Sequence, residues 1–125
     1  MRTALPLFAS GALIMTLVAL AFMLTGSPQH QRRLALDERR SELLDEMTRA
    51  IANDYRYHKL LPERLPAQLL KRDPESGKPF EYRRLSSDSF QLCATFAQSK
   101  SSDEFLQFEN HGRGRQCFSR MLTQL

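Results

Sequence analysis

Residues 4–25 read ALPLFASGALIMTLVALAFMLT, from Ala4 to Thr25, without one Asp, Glu, Lys, Arg or His. As a helix rising about 1.5 Å per residue, these 22 residues cover roughly 33 Å, enough for a hydrocarbon core about 30 Å thick. The stretch predicts a transmembrane anchor in the lipid bilayer at 4–25, behind a short flank at 1–3. Ala19 and Ala21 form an A-x-A-like pair that a signal peptidase would accept. The apolar run continues through Phe22, Met23 and Leu24, longer than a usual signal core, so the uncleaved anchor is the preferred reading.

About one hundred residues remain, room for one small domain whose limited core would gain from a covalent staple. The chain carries 18 Lys and Arg against 14 Asp and Glu, a net +4. Arg2 precedes the anchor and every acid follows it. A charge of this size, without interleaved aromatic and basic residues, does not point to nucleic acid.

Orientation is read in two ways. His30, Arg32, Arg33, Arg39 and Arg40 follow the anchor, whereas only Arg2 precedes it. A strict positive-inside count places the C-terminal part in the cytoplasm. The two cysteines favour an oxidising compartment, and that reading is preferred: an inner-membrane protein with a periplasmic domain.

Gly26, Ser27 and Pro28 break the apolar helix, opening a juxtamembrane hinge at 26–33 and a domain at 34–125. Ser is a good N-cap and Pro fits a first helical turn, so a second helix is expected to open at Pro28. From about Gln29 to Leu60, Leu36, Leu43/Leu44, Met47, Ala50/Ile51 and Tyr55 form a 3.6-period stripe. Asp45 and Arg49 make one i,i+4 pair, while Glu42 and Glu46 have no basic residue four positions on. Packing on a sheet is therefore expected to hold this helix. Leu61-Pro62 is expected to end it, and Leu65, Leu69 and Leu70 suggest a short helical turn.

Asp73-Pro74-Glu75-Ser76-Gly77-Lys78-Pro79 is a dense turn signal. Alternation of period two follows. Phe80, Tyr82 and Leu85 predict a first strand, and Phe90, Leu92, Ala94 and Phe96 the clearest one. Phe105, Leu106 and Phe108 suggest another. His111-Gly112-Arg113-Gly114-Arg115 reads as a turn into a last strand, Gln116 to Leu122.

Cys93 and Cys117 are the only cysteines. Each falls in a predicted strand, and an even count beyond an anchor predicts a disulfide between them. Without a C-x-x-C spacing the bond reads as structural. His30, His58 and His111 lack metal-ligand spacing, so no metal or cofactor is expected. The glycines and arginines of 111–115 suit an anion loop less well than a hairpin turn. Ser86, Ser87 and Ser89 lack a nucleophile elbow, and Asp45/Glu46 and Asp103/Glu104 read as exposed. No enzyme and no small-molecule substrate is expected.

The order helix, Leu61-Pro62, Leu65-Pro66, then Asp73-Pro74-Glu75-Ser76-Gly77-Lys78-Pro79-Phe80-Glu81-Tyr82 resembles the soluble domain of type II secretion major pseudopilins. Phe90-Gln-Leu-Cys-Ala-Thr-Phe with His111-x-Gly and Cys117-Phe118 looks still more like a group of uncharacterised bacterial single-span anchored proteins with that layout. The resemblance covers about residues 40–118. It implies an α+β domain, a long amphipathic helix on a three- or four-stranded antiparallel sheet, in the envelope. A prepilin carries a basic leader ending in Gly and a Glu five residues into the mature chain. Here no acid lies in the first 36 residues, so the resemblance carries fold and compartment but not fibre assembly. The expected role is a non-enzymatic structural or accessory subunit that binds other envelope proteins. Three alternatives stand beside it: a minor pseudopilin, a cytoplasm-facing membrane adaptor, and a periplasmic binding domain released after Ala21.

Overall fold

The computed structural model describes residues 4–101 and 108–124. Its compact units are Met1–Arg32 and Arg33–Leu125. Helix α1, Ala4–Thr25, coincides with the uncharged stretch. Its large side chains are exposed over the described part, including Leu13, Leu17 and Leu24. It is long and apolar enough to cross a membrane.

Only Gly26 and Ser27 stand outside helical backbone before α2, Pro28–His58. Gly26 has φ +73°, a left-handed value that ends α1 without Cβ strain. The Ser27 carbonyl accepts the His30 N–H at 2.9 Å, and Pro28 occupies the first position, where no N–H is needed. Residues 28–33 of the expected hinge are helical.

The helix ends at His58, earlier than Leu61-Pro62 suggests. Lys59 adopts φ +55° and its N–H bonds the Tyr55 carbonyl at 2.8 Å, a left-handed cap made without glycine. Leu65 to Leu70 form no helix, only one turn in which Leu69 N–H reaches the Pro66 carbonyl.

Strands β1 (Glu81–Arg84), β2 (Ser89–Phe96) and β3 (Gly114–Met121) form one antiparallel sheet in that order. The domain is α+β, with α2 packed on this three-stranded sheet. The last strand begins two residues before Gln116, because Gly114 (φ +93°) makes the entry bend, and Leu122 lies in a 3₁₀ turn. Phe108 is buried in a turn and belongs to no strand. Phe105 and Leu106 lie outside the described residues.

Phe90, Leu92, Ala94 and Phe96 point from one face of β2 into the core, where they meet Leu43, Leu44, Met47 and Ile51 of α2. Leu61, Phe80 and Phe108 close the cluster. Tyr82 and Arg84 share this face of β1, by register with Leu92 and Phe90. They hold the post-helix segment: Tyr82 donates its hydroxyl to the Pro62 carbonyl at 2.8 Å and Arg84 donates to the Leu61 carbonyl at 3.1 Å. Leu34 is left 40 % exposed, outside this packing.

Surface ion pairs add little here. Asp45 pairs with Arg49 as its spacing predicts. Glu42 and Glu46 make no i,i+4 pair, but each has a partner elsewhere: Arg39 reaches Glu42 at 2.7 Å, and Lys71 reaches Glu46 from outside the helix at 3.1 Å.

Candidate functional site

Two polar residues interrupt the buried face of α2. Asp37 and Arg40 are 3 % and 4 % exposed, and their i,i+3 spacing puts them in line with Leu44, Met47 and Ile51. Burying charge is unfavourable unless it is paired and hydrogen-bonded, and both residues are. Arg40 Nη1 donates to Asp37 Oδ1 at 2.8 Å. Its Nε and Nη2 donate to the two carboxylate oxygens of Asp73 at 2.5 and 3.3 Å, a forked pair. Nη2 also meets Glu75 Oε2 at 2.7 Å.

The turn after Arg72 makes this possible. Asp73 N–H bonds the Lys78 carbonyl, Gly77 N–H bonds the Asp73 carbonyl, and Gly77 takes φ +68° to close the loop. Asp73 Oδ1 accepts the N–H groups of Glu75 and Ser76 at 3.0 and 2.8 Å. One carboxylate thus shapes the turn and receives the arginine.

Asp37 serves the other side. Its Oδ1 and Oδ2 accept the N–H groups of Ala97 and Gln98 at 2.9 and 2.8 Å, where the chain leaves β2. Nearby, Ser41 Oγ donates to the Phe108 carbonyl at 3.0 Å. Helix, turn and strand end are joined through two side chains of α2.

The ionisation states follow. Burial alone would raise the Asp73 pKa, but the Arg40 hydrogen bond and the two N–H groups outweigh it and lower it to about 2. Burial alone would lower that of Arg40, and its bonds to Asp73, Glu75 and Asp37 outweigh it, holding the guanidinium above its ordinary range. Three carboxylates facing one guanidinium make an anionic cluster whose Asp73–Arg40 pair keeps its charges at neutral pH. That suits a fixed electrostatic brace, not proton transfer, which needs a group poised near the working pH.

A cleft of about 440 Å³ opens beside the cluster, between Asp73, Glu75 and Glu81 on one side and Ala94 to Ala97 on the other. The β1–β2 ladder stops at Glu81↔Cys93. Upstream, Phe80 N–H turns away to the Lys71 carbonyl, and Pro79 has no N–H to offer. Along β2 the Ser89 carbonyl accepts Leu85 N–H on the β1 side, and Ala97 N–H faces Asp37 there. Alternation therefore directs the Thr95 N–H and carbonyl to that same side, past the end of β1 and into the cleft.

Cys93 and Cys117 are bonded, as expected from their number. They stand directly opposite in the β2–β3 register, Cα atoms 4.1 Å apart, on the outer face of the sheet. Arg115 lies beside them and forks onto Glu81, with Nε–Oε1 3.1 Å and Nη2–Oε2 2.6 Å. That pair, led by the hydrogen bond, lowers the Glu81 pKa and raises that of Arg115.

The sequence-level candidates do not converge. His111 is buried, its ring stacked on Phe96 at 3.7 Å between centroids, and so belongs to the packing. His30 and His58 are exposed on α2, where His58 Nδ1 meets Asp54. Ser86 and Ser89 bond within the β1–β2 turn, and Asp103 and Glu104 lie outside the described residues. Sequence reasoning missed Asp37, Arg40, Asp73 and Thr95. The usable signal was the spacing 37, 40, 44, 47, 51, which continues the apolar stripe through two charged residues.

Comparison with protein-family models, with curated proteins and with solved structures finds no match to this chain.

Proposed function

We propose that this protein is a non-enzymatic, membrane-anchored structural or accessory subunit, displaying its α+β domain in the bacterial periplasm for contact with other envelope proteins. The observation that carries this reading is the pairing of an uncharged, mostly apolar helix α1 with a small domain closed by a disulfide. A bond of this kind persists in an oxidising compartment, and a helix of this length suits the inner membrane.

The brace at Arg40 supports a scaffold rather than a catalyst. Contact surfaces on this reading are α1 itself, the uncovered start of the α2 stripe at Leu34, and the cleft in which Thr95 offers one open backbone rung. The pseudopilin-like order of helix, Asp73 turn and sheet is a resemblance in sequence layout that favours an envelope role.

Labelling of Cys93 and Cys117 with a membrane-impermeant maleimide in intact spheroplasts tests the placement. Labelling only after reduction is the expected result. Labelling that needs lysis but no reductant would overturn it in favour of a cytoplasm-facing adaptor, the reading suggested by His30, Arg32, Arg33, Arg39 and Arg40 after the anchor. A trimmed, methylated N-terminus would instead make the protein a minor pseudopilin.

A further inference from the structure

The disulfide is asymmetric. Cys93 is on the central strand and only 5 % exposed, whereas Cys117 is exposed on the edge strand β3. Arg115, two residues from Cys117 on the same face, aims Nη2 at Cys93 Sγ, 3.6 Å away. Glu81 orients that guanidinium through two hydrogen bonds, so it is held over the buried sulfur.

Thiol–disulfide exchange needs access to one sulfur and a stabilised leaving thiolate on the other. Both requirements are met in one direction only. We infer that the Cys93–Cys117 bond is a modification site for a small thiol of the glutathione class, which attacks Cys117 and expels Cys93.

In this step the external thiolate forms a bond to Cys117 Sγ as the Sγ–Sγ bond breaks. The bonding pair leaves on Cys93 Sγ, which becomes a thiolate beside the Arg115 guanidinium. No net oxidant or reductant is consumed: one disulfide is exchanged for one mixed disulfide. The reverse attack by Cys93 on the mixed disulfide restores the bond and releases the thiol. The attack is possible without unfolding because the reacting sulfur stands on the outer face of the sheet, away from the core formed by Phe90, Leu92 and Phe96. Attack on Cys93 would have to pass Glu81 and Arg115, whose ion pair lines the depression beside it.

The test uses the full-length protein in detergent, incubated with reduced glutathione, quenched in acid and alkylated. Trypsin separates the two cysteines into peptides 85–100 and 116–120, which are read by mass. Glutathione on 116–120 with alkylated Cys93 on 85–100 is the expected result. Equal occupancy of both cysteines, occupancy of Cys93 alone, or no adduct on the folded protein would each overturn the inference. Arg115→Gln, in which the Cys117 peptide becomes 114–120, should slow adduct formation by roughly threefold, since a less stabilised thiolate leaves more slowly. Glu81→Gln removes the same ion pair but keeps the guanidinium. Because Glu81 orients that guanidinium, this variant should slow exchange less than Arg115→Gln does, and an unchanged rate in Arg115→Gln would overturn the role given to Arg115.

Discussion

Asp37 and Ala97, sixty positions apart, are joined by a hydrogen bond from the Ala97 N–H to the Asp37 carboxylate at 2.9 Å. The same side chain accepts Gln98 N–H and the Arg40 guanidinium. A single helix residue therefore terminates the central strand and anchors the arginine that holds the Asp73 turn.

Asp37→Ala removes three acceptor contacts and leaves two N–H groups and part of a guanidinium buried. A loss of about 3 kcal/mol is expected. Arg40→Met should cost a comparable amount by leaving Asp37 and Asp73 without their cation. Thermal unfolding of the solubilised protein measures both. A change under about 0.5 kcal/mol in either would show that water replaces the network freely.

Acid should weaken the domain through Asp73. Its pKa is about 2 in the folded protein and near 3.8 when unfolded, so on acidification the unfolded chain takes up the proton first. The stabilisation, about 2 kcal/mol, is fully present above pH 4 and disappears as pH falls toward 2. Asp73→Asn should flatten that part of the stability profile. An unchanged acid limb in the variant would assign it to other carboxylates.

Removing the disulfide by Cys93→Ala with Cys117→Ala releases a loop of sequence separation 24. Chain entropy puts the loss at roughly 3.5 kcal/mol. The fold itself should survive, because β2 and β3 pair over eight positions without the bond. A lower unfolding midpoint with an unchanged far-ultraviolet spectrum is the expected pattern; collapse of the spectrum would make the bond a requirement for folding.

Leu44 is fully buried at the centre of the α2 stripe. Leu44→Ala should cost about 3 kcal/mol through lost burial and the cavity left behind. Glu42→Ala, which removes only an exposed ion pair, should stay within about 0.5 kcal/mol. Denaturant midpoints of the two variants check the contrast.

Membrane insertion through α1 predicts a strong effect of Val18→Arg near its middle. A basic residue there costs about 3 kcal/mol of insertion free energy. Alkaline carbonate should then extract the variant while the wild-type chain stays with the membrane. Equal retention of both would point to attachment through another part of the chain.

Several elements were legible because their signal is local. An uncharged run of helical length, Ser27-Pro28 at a helix start, and the alternation from Phe90 to Phe96 each depend on neighbours in sequence, and backbone geometry converts them directly into α1, the opening of α2 and β2. Helix ends were less legible: Lys59 adopts a conformation usually left to glycine, and nothing in its side chain announces it.

Only the tertiary structure decided the rest. On polarity alone Asp37 and Arg40 belong to a solvated face, although their spacing continues the buried stripe of α2. Their burial depends on acceptors and donors supplied by Asp73, Glu75, Ala97 and Gln98, which lie 33 to 61 positions away. Phe108 likewise reads as a strand residue, yet it closes the core from a turn. Which cysteine is shielded, and that Arg115 stands over it, follow from strand order and register. Sequence determined the elements through local backbone preference; the fold chose their partners, because pairing energy between distant groups exists only once the chain has brought them together.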